Sequence, residues 1–273
     1  MHLSGLVLYP VKSLRGCVVA SAEVDELGIV GDRRFLIVDE QDRFLTQRTV
    51  PRMIPLATAL STDTLTLSAP GAGAIAVWRE AHDDAPLRSV TVWGKEGLLA
   101  EDCGEAPAAW LSDVLATRCR LVRIGGKFLR PVERTGYSGP GDHFHFGDGA
   151  PFLVASEASL ADLNDRLAER HEPPLPMDRF RPNLIVSGCT PYAEDTWPHF
   201  RVGEIAFRAA GPCKRCVVTA TDQLTGERGK EPLRLLASYR RHPHDPAEVI
   251  FGQNLIHETK SGRLRVGDPV TIG

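Results

Sequence analysis

The chain has 273 residues, a formal net charge of -3, 42% hydrophobic residues and 25% charged residues. That is the make-up of an ordinary soluble protein of one large domain or two modest ones, able to bury a core without disulfide staples. It speaks against nonspecific nucleic-acid binding, which needs a basic footprint, and no apolar run is long enough to span a bilayer.

The N-terminus, Met1 to Pro10, lacks a basic n-region and a cleavage site, so it reads as a first strand and not as a signal peptide. Leu6-Val7-Leu8-Tyr9, Cys17-Val18-Val19-Ala20, Phe35-Leu36-Ile37-Val38 and Leu65-Thr66-Leu67 are short β-leaning runs punctuated by glycines. Asp39 to Asp42 has the composition of a hairpin turn between Phe35–Val38 and a strand over 43–47. Ala106 to Thr117 carries a helical pattern, with Trp110, Leu111, Val114 and Leu115 on one face. Leu121 to Ile124 returns to strand, and residues 125–148 form a long loop rich in Gly, Pro, Arg and His. A second helix starts behind Ser156 as N-cap, with Leu160, Leu163 and Leu167 as its apolar stripe. Asn183–Ser187 and Glu204–Arg208 are strands, Pro232 to Arg240 is a third helix, and Leu264 to Ile272 is a closing strand with a turn in it. The expectation is an α+β, mostly β protein: an N-terminal β-barrel-like module over 1–120, then a β-barrel domain with a few helices over 121–273.

Six cysteines are scattered over the chain, which fits a reducing, cytoplasmic setting better than a disulfide framework. The most informative stretch is Gly211-Pro212-Cys213-Lys214-Arg215-Cys216. A thiol flanked by two cations is poised toward thiolate, the form that binds soft metals and attacks electrophiles. Four readings of the C-x-x-C pair stay open. Structural zinc needs two more ligands, and none stands at the usual spacing. A thioredoxin-like dithiol sits between a strand and a helix, whereas this motif runs into Val217-Val218-Thr219, which is strand-like. One thiolate could ligate a metal with the other cysteine close by through packing, or both could be buried thiols without chemistry. Lys12-Ser13, Arg34 and Arg181-Pro182-Asn183 add positive charge and hydroxyl or amide donors, suited to holding a large anionic cofactor against the sulfur of Cys216. His143-Phe144-His145 reads as a loop or pocket wall, and His242-Pro243-His244 as a solvated turn.

Taken in order, Tyr9-Pro10-Val11-Lys12-Ser13, Gly31-Asp32-Arg33-Arg34-Phe35, Pro151-Phe152-Leu153 with Ser156 to Leu160, Phe180-Arg181-Pro182-Asn183, Cys213-Lys214-Arg215-Cys216, Lys230 to Leu233, Phe251-Gly252-Gln253-Asn254 and Val266 to Val270 form one set of motifs from end to end. On these the chain resembles the two-part MOSC proteins, named for the C-terminal domain of molybdenum cofactor sulfurase, with the family's N-terminal β-barrel before it. It is most similar to the amidoxime-reducing components and their bacterial counterparts, which reduce N-hydroxylated compounds at a molybdenum–pterin cofactor. The resemblance implies that Cys216 ligates molybdenum, and that Lys12, Ser13, Arg34, Arg181 and Asn183 hold the cofactor's pterin and phosphate end, with Lys214 beside them. It implies a place near the metal for Asp148, as proton relay, and carries a link to a pyridoxal-phosphate-binding superfamily. Lys214 stands where the family often has a small hydroxyl residue, and Ala220-Thr221-Asp222 varies the usual run. Some bacterial relatives carry a plant-type ferredoxin domain; no C-x4-C-x2-C spacing occurs here, so electrons are expected from a separate donor of ferredoxin or cytochrome b5 type with its reductase. The alternative from another class is a carrier, which holds the cofactor or a persulfide for delivery without turnover of its own.

Overall fold

A computed structural model describes residues 1–80 and 85–273. Strands dominate. Among the described residues there are three α-helices: α1 Glu105–Leu115, α2 Glu157–Ala168 and α3 Leu233–Tyr239. The largest sheet has nine strands, in the order Val270–Ile272, His199–Val202, Ile205–Lys214, Asp245–His257, Phe152–Ser156, Leu184–Ser187, His2–Leu8 and Cys17–Val18, with Arg241–His242 paired to the side of Asp245–His257. Its pairs are antiparallel except Phe152–Ser156 with Leu184–Ser187, which are parallel and joined through α2. A parallel pair needs such a long crossover, and α2 supplies it. Ser156 caps α2 as expected: its hydroxyl accepts the Ser159 N–H at 3.0 Å.

A second sheet orders Phe35–Val38, Arg120–Arg123, Lys95–Asp102 and Leu87–Val92, and a third joins Ala57–Leu60, Thr64–Ala69 and Gly73–Trp78. Helix α1 packs Leu111 and Leu115 against Phe35, Ile37, Leu65, Leu67 and Leu121 of these sheets. The other main core lies in the large sheet, where Leu3, Leu6, Phe152, Val154, Phe200, Phe207 and Leu255 are buried together.

Strand pairing does not follow a division at residue 120. His2–Leu8 pairs with Leu184–Ser187, and Ser21–Asp25 pairs with Gly262–Arg265. Arg120–Arg123 in turn pairs with Phe35–Val38. The first strand therefore delivers Lys12 and Ser13 directly to the C-terminal half.

Two local expectations are corrected. Residues 43–47 form no strand; beyond the turn, where the Asp42 N–H reaches Asp39 O at 3.1 Å, only isolated bridges link Val38 to Phe44 and Arg43 to Thr91. The chain turns again at Thr46, whose carbonyl accepts the N–H groups of Thr49 and Val50 at 3.1 and 2.9 Å. Val217–Ala220 is a 3₁₀ turn and not a strand. The Thr219 hydroxyl donates to Cys216 O at 2.8 Å and the Thr221 hydroxyl to Val217 O at 3.0 Å, and such side-chain bonds win over β propensity.

Candidate functional site

The ends of these elements meet around one cleft of about 310 Å³. Lys12, Ser13, Arg33, Arg48, Asp148, Arg179, Arg181, Asn183, Cys213, Lys214, Arg215 and Cys216 line it, with Trp93 at its mouth. Seven lining side chains are cationic and one, Asp148, is a carboxylate.

Lys12 follows Pro10 where the chain leaves its first strand; its backbone N–H bonds Phe35 O at 3.0 Å. Its side chain is 5% exposed and its ammonium is bonded to Asp148 Oδ1. Burial pulls the Lys12 pKa down to about 8, against the pull of Asp148. Asp148 is 61% exposed, at the cleft mouth. Desolvation opposes its ionisation, but Lys12, Arg48 and Arg33 outweigh that and hold the carboxyl well below the usual range.

The loop bearing Asp148 is fixed from behind. His145 Nδ1 accepts the Gly147 N–H at 2.9 Å, which leaves the ring proton on Nε2, facing Asp32 Oδ2 at 3.1 Å and Pro151 O at 3.0 Å. Arg130 donates to Gly147 O at 2.7 Å and His145 O at 2.9 Å. His145 is thus an internal clamp, and burial holds its pKa below the ordinary value.

Arg34 is not in the cleft. Its guanidinium turns the other way, to Asp25 at 2.6 Å and Ile29 O at 3.2 Å, beside a separate recess that also holds Arg79. Arg33 takes the place expected for it. The turn at Gly31-Asp32 leaves Arg33 at φ 44°, and its guanidinium reaches Asp32 Oδ2 at 2.6 Å and Asn183 Oδ1 at 2.9 Å. Arg33 lies in the turn at a left-handed φ while Arg34 stands just before the strand Phe35–Val38, so the turn decides which arginine lines the cleft. Arg33 and Arg181 both lie over the Tyr9 ring, at 4.5 and 4.2 Å, and Arg181 also donates to Leu14 O at 2.8 Å. Asn183 donates from Nδ2 to Val7 O at 3.1 Å.

The cations next to Cys216 in the chain make no hydrogen bond to its sulfur. Lys214 pairs with Asp245 at 2.7 Å, and Arg215 donates to Phe251 O at 2.6 Å and Phe180 O at 2.8 Å. The guanidinium on the Cys216 sulfur belongs to Arg48, with Nε at 3.3 Å and Nη2 at 3.2 Å. The turn at Thr46 carries it there. Its Nη2 also lies 3.6 Å from Asp148 Oδ2, so Arg48 links thiol and carboxylate. Cys213 has only a long contact to Lys214 O, and burial pushes its thiol pKa up. Among the described residues no cluster of three or more His, Cys, Asp or Glu side chains is placed to hold a metal, and all six cysteines are free.

Two buried polar atoms of cleft residues have no partner, Arg179 Nε and Gln47 Oε1. A cation-rich recess with an unpaired donor suits an anionic ligand, because unpaired buried polar atoms are costly. A thiol at its floor suits a soft metal carried on that ligand. The residues present therefore fit a phosphate-bearing metal cofactor.

The MOSC N-terminal beta barrel domain matches residues 1–118, and the MOSC domain matches residues 141–271. Mitochondrial amidoxime-reducing component 1 of Homo sapiens is 36% identical over 282 residues, covering 98% of this chain and 81% of that protein. Its counterpart in Mus musculus is 37% identical over 287 residues, with the same two coverages. Molybdenum cofactor sulfurase of Danio rerio is 32% identical over 275 residues, covering 94% of this chain but 32% of that protein. None of these matches connects the chain to pyridoxal phosphate, and the amidoxime-reducing relatives are mitochondrial by name, not cytoplasmic. No described helix is long and apolar enough to cross a membrane. The chain belongs to the family of proteins that join a MOSC N-terminal beta barrel domain to a MOSC domain, the family of the amidoxime-reducing components.

Proposed function

We propose that the protein is a molybdenum-cofactor-dependent reductase of N-hydroxylated compounds. The observation that carries this reading is the convergence of Cys216, Asp148 and seven cations on one cleft. Ser13, Arg33, Arg181 and Asn183 would hold the anionic end of the cofactor, the Cys216 thiolate would be the protein's ligand to the metal, and Lys12, bonded to Asp148, would lie at the reacting end. When bound, the cofactor supplies the two electrons that cleave the N–O bond.

The chain's own part is charge and protons. Arg48 compensates negative charge on the Cys216 sulfur, since its two N–H groups already point there. At neutral pH the Lys12–Asp148 pair keeps its proton on Lys12 Nζ, because Asp148 is held ionised and Lys12 titrates only near 8. Lys12 is thus the store of one proton, with Asp148 as the acceptor through which it passes to the departing oxygen, which leaves as water; the second proton, taken up by the nitrogen as the N–O bond breaks, would come from solvent at the cleft mouth, where Asp148 is exposed. Asp148 alone, held so far down, would be a poor donor.

The test is donor-driven turnover. NADH alone gives none, since the chain has no cysteine spacing for an iron–sulfur cluster. An artificial one-electron donor, or a ferredoxin or cytochrome b5 type partner with its reductase, drives reduction of benzamidoxime by molybdenum-loaded protein. Loaded protein that reduces no N-hydroxylated compound with any donor, yet passes its cofactor to an apo-acceptor, would establish the carrier reading instead.

A further inference from the structure

We propose that Trp93 is the specificity-determining wall of the cleft, and that it selects N-hydroxylated groups carried on flat aromatic rings; this rests on the reductase reading above. Trp93 stands in a two-residue turn of the hairpin Leu87–Val92 and Lys95–Asp102, where Val92 pairs with Lys95. Its φ is 55°, a left-handed conformation that a bulky side chain rarely adopts. Gly94, the residue suited to such a backbone, stands one place later and has an ordinary φ. Strain of this kind in a bulky residue points to a use for the side chain.

The indole is held by the reacting end of the cleft. Its Nε1–H donates to Asp148 Oδ1 at 3.2 Å, the oxygen that also takes the Lys12 ammonium. The Arg48 guanidinium lies 4.7 Å from the ring centroid, and the Phe44 ring 5.0 Å away. The ring therefore touches both residues that face Cys216 and the proton store. Three aromatic side chains line the cleft, and Phe152 and Phe180 are fully buried. Trp93 is 43% exposed, so it alone presents aromatic surface to an incoming molecule. A ring stacked on it would carry its N-hydroxyl substituent toward Asp148. Aromatic stacking of this kind changes affinity about three- to tenfold.

The test compares benzamidoxime with acetamidoxime on molybdenum-loaded protein. Trp93→Ala should lower the preference in kcat/KM for benzamidoxime about three- to tenfold, through KM, with molybdenum content unchanged, and Trp93→Phe should restore most of it. Binding is read apart from turnover: benzamidoxime should quench tryptophan fluorescence in the parent protein and not in Trp93→Phe. Equal losses for both substrates, or quenching that persists in Trp93→Phe, would overturn the proposal. Trp93-dependent quenching in a protein that reduces neither compound would uphold the wall and remove the reductase reading.

Discussion

Cys216→Ala should lose reductase activity by more than about a hundredfold, whereas Cys213→Ala should lose no more than a few-fold. Even groups one shell removed from a metal cost about 10–100-fold when mutated, and Cys216 is assigned the ligand itself. Its sulfur lies in the cleft with two N–H groups of Arg48 upon it. Cys213 has no good hydrogen bond, and burial outweighs the pull of Arg215 and Arg134 and pushes its thiol pKa up. Removing that sulfur should cost about 1 kcal/mol of packing. The check is steady-state kinetics beside a thermal melt of each variant. Comparable inactivation of both, with the fold intact, would mean that the two thiols act as a dithiol or share a metal.

Arg33→Ala should destabilise the protein by about 3–5 kcal/mol and strip it of pterin, while the neighbouring Arg34→Ala should cost about 1 kcal/mol and leave pterin content alone. The reason is where each guanidinium lies. Arg33 pairs with Asp32, which is fully buried, and bridges to Asn183 in the cleft. Deleting it strands a buried carboxylate, which Arg33 and His145 otherwise hold ionised against its desolvation. Arg34 pairs with Asp25, whose side chain is 42% exposed, so water replaces most of what is lost. The melting temperature of Arg33→Ala should fall by about ten degrees. Melts and released pterin in the two variants check this, and equal depletion of pterin in both would contradict the assignment of Arg33 to the cleft.

Much of this was legible in the sequence. Phe35–Val38 is an apolar run stopped by turn residues, and α2 announces itself through Ser156 and the spacing of its leucines. The long strand Asp245–His257 gave no such signal. Pro246, Gly252 and the polar pair Gln253-Asn254 interrupt it, and Gly252 sits at φ 72° where a Cβ would strike Val154 O at 2.5 Å. Lys95–Asp102 is likewise disguised by its charges and Gly97.

The site divides in the same way. Lys12, Arg181, Asn183 and Cys216 stand in the ordered motifs and Asp148 comes with the resemblance those motifs carry, and the fold brings all five to one cleft. The resemblance points to Arg34, but the turn that sends Arg33 into the cleft and Arg34 to Asp25 is set by a backbone conformation that residue type does not show. Arg48 and Trp93 were missed for another reason. Arg48 meets Cys216 across 168 residues, and Trp93 meets Asp148 across 55. Both come from turns of the N-terminal module, and neither belongs to a motif whose chemistry names its partner. No sequence signal pairs Arg48 with Cys216, because only the structure shows that Lys214 and Arg215 are engaged by Asp245 and Phe251 O.

The measurement that bears most directly on the proposed function is the metal and pterin content of the unmutated protein, purified from a host that makes the molybdenum cofactor. Cys216 on a cation-lined floor predicts about one molybdenum and about one pterin per chain. Stoichiometric zinc with no molybdenum, from that same host, would contradict it.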